Sequence, residues 1–299
     1  MHKIVHAGQL AVAYEESGGC DGWPVVLSHG FPYDVRAFDS VVPLLTEQGA
    51  RVIVPYLRGY GPTRFLDEGA FRSGEQAAIG MDLLALLDAL GIERAGLAGY
   101  DWGSRASCVL AALHPHRADF LVVANGYAIQ DIAAAGTPAS PASELRYWYQ
   151  YYFHSARGQA GLEQHRRDFC RLLWNLWSPT WSFDAQTYDR TARSFDNPDF
   201  VEVVIHSYRH RFGLVAGDPA LATVEAQLRR QPPITVPTIT IDGDADGVVP
   251  PTDGSTYARH FTAGWEHRRI PNAGHNLPQE APTQFADAIL SLHGGQGAL

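Results

Sequence analysis

Short apolar runs alternate with helix-patterned stretches through the first half of the chain. Val25-Val26-Leu27, Arg51 to Val54, Ala95 to Ala98 and Asp119 to Asn125 read as buried strands bounded by turn residues. Between them the period lengthens, and Val35 to Glu47, Ser73 to Leu90 and Ser104 to His114 read as helices. In the second helix Ala77, Met81, Leu84, Leu87 and Ala89 share one face, and Gly91 closes it as a C-cap. The residues before Gly18 alternate like a hairpin around Gly8. Strand and helix in alternation predict an α/β fold with a mostly parallel, doubly wound sheet. After Tyr127 the pattern changes. Ala133 to Pro141 is an Ala/Gly/Pro/Ser linker, and Glu144 to Gly213 is aromatic, arginine-rich and helical in period. Gly217-Asp218-Pro219 and Gln231-Pro232-Pro233 punctuate a return to strands at Thr238 to Ile241 and Glu266 to Ile270. The pattern therefore predicts a core segment 1–130, an inserted helical cap 131–230 and a second core segment 231–299. Such a cap roofs a site, dries it and gates entry.

Composition narrows the partners. The 299 residues are 45% hydrophobic and 18% charged, as in an ordinary globular chain. A net charge of −9 argues against nucleic acid and anionic membranes. Three unpatterned cysteines, Cys20, Cys108 and Cys170, suit a reducing cytosol and suggest no metal site. The start, Met1-His2-Lys3-Ile4-Val5-His6, lacks a secretory apolar stretch, and no apolar run of about 18 residues suggests a membrane span. A cytoplasmic location is the expectation.

The chemistry concentrates at Gly99-Tyr100-Asp101-Trp102-Gly103. Strand, sharp turn and helix surround it, the context of a nucleophile elbow, but with aspartate in place of serine. A carboxylate is a weak nucleophile suited to displacing a leaving group from saturated carbon, which leaves an ester on the enzyme. A solvated loop aspartate between two turn glycines is the alternative. Downstream follow Asp242-Gly243-Asp244-Ala245-Asp246 after one predicted strand and Gly274-His275 after another. Nucleophile, acid and histidine thus come in hydrolase order, each at the C-terminal end of a strand, where open parallel sheets bind ligands. His29-Gly30-Phe31-Pro32 follows the Val25 strand, and Arg58 lies in Leu57-Arg58-Gly59-Tyr60-Gly61-Pro62. Both His29 and Arg58 read as loop organisers.

Together these motifs resemble the α/β-hydrolase superfamily, in its branch of epoxide hydrolases and haloalkane dehalogenases, over nearly the whole chain. The resemblance implies the α/β-hydrolase fold, with Asp101 as nucleophile and His275 as base. Asp246 is implied as the acid because relatives place it three residues after the glycine, here Gly243; Asp244 and Asp242 lie close by. Some relatives draw the acid from the preceding strand end, where this chain has Asn125. Backbone amides of Phe31 and Trp102 would form the oxyanion hole.

Epoxide opening needs a neutral proton donor beside the departing oxygen, and tyrosine is one at pH 7. The resemblance assigns this role to Tyr149, in Trp148-Tyr149-Gln150, and Tyr208, in Tyr208-Arg209; Tyr147, Tyr151 and Tyr152 compete for the first position. Trp102, Trp148 and Tyr152 are expected to line a pocket for a small apolar or aromatic epoxide. The implied reaction gives a vicinal diol, needs no metal or organic cofactor, and is compatible with a homodimer. A haloalkane dehalogenase shares Asp101, Asp246, His275 and Trp102, but often has an asparagine where this chain has Phe31. Fluoroacetate dehalogenases carry an arginine where this chain has Trp102, leaving Arg105. A non-catalytic, ligand-binding relative would be expected to lack a member of the triad.

Overall fold

The computed structural model describes residues 2–295. The chain runs β1 (Lys3–Ala7), β2 (Leu10–Ser17), β3 (Trp23–Ser28), α1 (Val41–Thr46), β4 (Ala50–Pro55), β5 (Arg64–Phe65), α2 (Gln76–Ala89), β6 (Ala95–Gly99), α3 (Trp102–Leu113) and β7 (Ala118–Ala124). Six helices follow: α4 (Pro141–Arg146), α5 (Trp148–His154), α6 (Ala156–Trp177), α7 (Ala185–Ala192), α8 (Phe200–His210) and α9 (Ala222–Leu228). The chain then returns through β8 (Thr238–Gly243), β9 (Trp265–Ile270), α10 (Leu277–Glu280) and α11 (Pro282–Gly295).

The sheet order is β1-β2-β4-β3-β6-β7-β8-β9, with β5 on β2. The pairs from β4 through β3, β6, β7 and β8 to β9 are parallel, whereas β1, β2 and β5 join antiparallel at one side. Helices cover both faces of a parallel sheet, so its inner strands are apolar throughout. Every residue of β6 and β8 is buried, while β1 at one edge and β9 at the other are largely exposed or half-buried. The strand order reverses at β3 and β6, which lie side by side. A crevice at such a reversal is where doubly wound sheets take ligands.

The helix expected over Val35 to Glu47 is broken in two: a short 3-10 turn, Val35–Phe38, precedes α1. Asp34 caps the turn by accepting from Arg36 N at 2.9 Å. Pro43 has no N–H to give to the preceding turn, so it fits only in the first turn of a new helix.

Helices α4 to α9 lie between β7 and β8 and dock on the loops at the C-terminal ends of β3 and β4. Trp174 Nε1 donates to Pro32 O at 2.8 Å, Asn197 Nδ2 to Thr63 O at 2.7 Å, and Gly74 N to His206 Nδ1 at 3.0 Å. Buried Asp34 accepts from Thr191 Oγ1 at 3.0 Å and Ser194 Oγ at 2.6 Å. Among the described residues, no helix is long and apolar enough to cross a membrane.

Candidate active site

Asp101 ends the turn between β6 and α3 with φ 51° and ψ −121°, a region that residues with a Cβ seldom occupy. The turn throws the carboxylate forward over the sheet edge. Close packing keeps it there: a Cβ at Gly30 would strike the Asp101 carboxylate, and one at Gly103 would strike the Ser28 carbonyl. Phe31 N donates to Asp101 Oδ1 at 2.7 Å. The Trp102 N–H, first amide of α3, lies on the same side, since the Gly30 Cβ would meet it too.

His275 Nε2 lies 3.4 Å from Asp101 Oδ2, and His275 Nδ1 lies 2.7 Å from Asp246 Oδ2. The three acids of the β8 loop have different partners. Asp246 faces His275, Asp244 pairs with Arg269 at 2.7 Å, and Asp242 accepts from Thr252 N at 2.8 Å. Asp246 Oδ1 also accepts from Val248 N and Val249 N, each at 2.8 Å. Asn125, at the position from which some relatives draw the acid, donates Nδ2 to Asp246 Oδ2 at 3.2 Å. It helps to orient the carboxylate it cannot replace.

Burial disfavours an imidazolium at His275, but Asp246 and Asp101 outweigh it and raise its pKa to about 10. Burial likewise opposes the Asp101 anion. His275 prevails through its bond and charge, helped by the Arg105 charge and the Phe31 amide, and holds the carboxyl below its ordinary value. The resting pair is thus carboxylate and imidazolium. His29 is different. Wholly buried, it accepts from Leu57 N at 3.1 Å, and desolvation lowers its pKa to about 4, so it is neutral and organises the loop. Arg58 holds Asp82 with two hydrogen bonds and the Ser73 carbonyl with a third.

A cavity of about 850 Å³ opens in front of Asp101 and His275, walled by Tyr149, Arg105, Arg211 and the loop after β7. Tyr208, expected beside Tyr149 at the departing oxygen, is instead not part of the cavity wall: it packs behind Tyr149, with ring centroids 5.3 Å apart and planes at 84°. Burial, and the Asp101 charge with it, drive both phenols above their ordinary pKa, so both are protonated.

The structure corrects three pocket residues. On α5, Tyr149 lines the cavity and faces Tyr208, whereas Trp148 and Tyr152, one turn apart, are not part of its wall and pack on Phe169 at 5.6 and 5.9 Å. The helical period that turns Tyr149 toward the cavity turns Trp148 and Tyr152 away. The Trp102 ring is fully buried between Phe31 and Tyr208, at 5.9 and 6.0 Å, behind the cavity wall.

Sequence reasoning missed other parts of the site. The segment Ala133 to Pro141, read as a linker, contributes Ala134 to Ala139 to the cavity wall. The end of α6 anchors the loops that carry Asp246 and His275, because Trp177 O accepts from Gly247 N at 2.9 Å and from His275 N at 3.1 Å. Arg105 was legible as one turn after Asp101 on a helix. Arg211 carried no local signal. Away from the cavity, Glu75, His210 and Glu225 bring ligand-type atoms within 4.8 Å of one another. Their carboxylates already accept from Ser73, Asp218 N, Gln76 and Ala77 N.

Residues 24–282 match the sequence pattern of the α/β-hydrolase fold. The chain belongs to that family. It is 44% identical to a crystallised protein of Klebsiella pneumoniae, provisionally described as an epoxide hydrolase, with a TM-score of 0.96 over 97% of this chain and 96% of the other. It is 33% identical to epoxide hydrolase B of Mycobacterium tuberculosis, over 43% of this chain and only 39% of that relative. It is 28% identical to a haloalkane dehalogenase of Mycolicibacterium paratuberculosis, over 94% of this chain and 87% of that protein. Family membership agrees with the sheet order and with Asp101 at a strand-to-helix elbow.

Proposed function

We propose that this protein is an epoxide hydrolase in which Asp101 attacks the ring and His275 drives hydrolysis of the resulting ester. The observation that carries the reading is the Asp101 carboxylate, held between the Phe31 amide and His275 at a cavity that protonated Tyr149 also lines. Oδ1 is engaged by the Phe31 N–H and becomes the ester carbonyl oxygen; Oδ2 forms the new bond to carbon. As the C–O bond of the ring breaks, Tyr149, backed by Tyr208, donates a hydrogen bond to the departing oxygen.

Alkylation removes the negative charge of Asp101. With it goes part of what raises the His275 pKa, and the imidazolium surrenders its proton through solvent to balance the alkoxide. Neutral His275, oriented by Asp246, then takes a proton from water, which attacks the Asp101 acyl carbon. The Phe31 and Trp102 amides receive the developing oxyanion. Collapse releases the diol, the Asp101 carboxylate and protonated His275, so the protons balance over the cycle. In this reading helices α4 to α9 act as the cap that excludes bulk water.

One observation favours a haloalkane dehalogenase. The buried Trp102 indole N–H, adjacent in sequence to Asp101, makes no hydrogen bond to the described residues and has the chemistry to hold a halide. A parallel assay on styrene oxide and one-bromobutane separates the two. Diol without bromide is the expected result; bromide release without diol would reverse the assignment.

A further inference from the structure

The cavity that contains Asp101 also contains two guanidinium groups with no carboxylate at ion-pair distance. Arg105 is 7% exposed and stands one helical turn after Asp101 on α3. Arg211 follows α8 and lines the same cavity. Among the described residues neither arginine forms an ion pair. Between them lies Gln130. With its amide oxygen turned toward the arginines, it accepts from Arg105 Nη2 at 3.1 Å and Arg211 Nε at 2.7 Å. Arg105 Nε is buried without a hydrogen-bond partner. A buried, unpaired charge with an unused donor is a costly arrangement unless something outside the protein completes it.

The other charges of the cavity are engaged. Asp101 and His275 face each other at 3.4 Å. Glu144 accepts from Ala139 N at 2.6 Å and from the Tyr151 hydroxyl, and Asp131 accepts from Ala134 N at 3.2 Å. Burial, followed by the Arg211 charge, pushes the Arg105 guanidinium down to about 10, although the Asp101 charge opposes the fall. Neither Asp131 nor Glu144 pairs with an arginine of the cavity, so Arg105 and Arg211 meet it as two like charges without an ion-pair partner.

We propose that Arg105, Arg211 and Gln130 form a carboxylate-binding subsite, and that the substrate is an epoxide carrying a carboxylate a few bonds from the ring. The substrate class rests on the epoxide reading above; the anion subsite does not. Guanidinium groups recognise a carboxylate with paired N–H donors. Asp101 immediately precedes α3 and Arg105 lies in its first turn, which sets a short spacer between reacting carbon and anion.

The test uses the terminal epoxides of butanoate, pentanoate and hexanoate, each against its neutral carboxamide, with styrene oxide as reference. At least one acid should show kcat/KM about tenfold or more above its amide, carried by KM. That ratio should fall toward one in Arg105→Gln and in Arg211→Gln. Arg211 is only half-buried, so its variant serves if Arg105→Gln does not fold. A second arm measures binding without turnover. Hexanoate should raise the melting temperature of the wild-type protein and hexanamide should not, with the difference lost in the variants. Equal kcat/KM for acids and amides, with styrene oxide opened, would overturn the subsite and leave the epoxide reading standing. Arginine-dependent hexanoate binding with no epoxide opened would uphold the subsite and sink the epoxide reading.

Discussion

Two residues, Asp101 and His275, determine each other's charge, and this coupling gives the proposed cycle its order. Hydrolysis needs a neutral imidazole, which the resting Asp101 anion opposes. His275→Gln should therefore allow ester formation and block its breakdown, so mass spectrometry should find about one equivalent of alkyl adduct on Asp101. Asp101→Asn should give none, and an adduct elsewhere would end the scheme. The same coupling makes a stability prediction. The pKa of His275 is about 10 in the folded chain, above the ordinary 6.5. Its contribution is thus fully present below pH 6.5 and is lost as pH rises through about 10. Wild type should lose more melting temperature across that window than His275→Gln does. The phenols act as a pair. Tyr149→Phe should slow ester formation from epoxides by about a hundredfold, because it removes the donor at the cavity, and Tyr208→Phe by about tenfold, because Tyr149 remains. The double variant should lose far more, as rapid-quench measurements would show. If haloalkanes are turned over, their rates should barely respond to either tyrosine and should collapse in Trp102→Phe.

Among the elements, the site depends on how closely α3 approaches β3. The start of α3 lies directly on the Ser28 carbonyl, where a Cβ at residue 103 cannot fit. Neighbouring backbone cannot yield as a flexible side chain would. Gly103→Ala should therefore cost about 1–3 kcal/mol in urea unfolding. It should also disturb the elbow, so that activity falls more than stability alone explains. Gly19→Ala, where nothing lies within 4 Å, should change stability by less than about 0.5 kcal/mol. Equal effects at both positions would show that the elbow tolerates more backbone movement than this packing implies. Helix α5 shows the same dependence on packing: of two aromatics adjacent in sequence, Tyr149 lines the cavity and Trp148 packs on Phe169.

For the molecule as a whole, the docking of α4 to α9 on the sheet is polar at its centre. Asp34 is 2% exposed, and burial raises its pKa to about 6 although Ser194, Arg36 and Thr191 all donate to it. Asp34→Ala removes the acceptor and leaves two buried hydroxyls without it, at a cost of about 1–3 kcal/mol. Hydrogen exchange should then speed up across Tyr188 to Phe200 before it does in β6 or β7. Uniform acceleration would mean that the helices and the sheet unfold as one unit.

Local pattern determined a good deal of this protein. Apolar runs, helical period and turn residues were enough for the parallel strands, for α2 and α3 and for the elbow at Asp101, because each depends on near neighbours in the chain; α1 came out shorter than its pattern, and α10 and α11 were not read from it. Order along the chain, read with the family resemblance, singled out Asp101, Asp246 and His275 among many acids and histidines. Tertiary structure alone decided what depends on distant segments meeting. It placed Asp244 with Arg269 and Asp246 with His275 through the register of β8 on β9 and the approach of α6. It turned Trp148 and Tyr152 away from the cavity, since a run of aromatics shows no direction until the helix has a neighbour. It also brought Arg211 and Gln130 to Arg105, a meeting that no local spacing encodes, because β7 separates Arg105 from Gln130 and helices α4 to α8 separate Gln130 from Arg211.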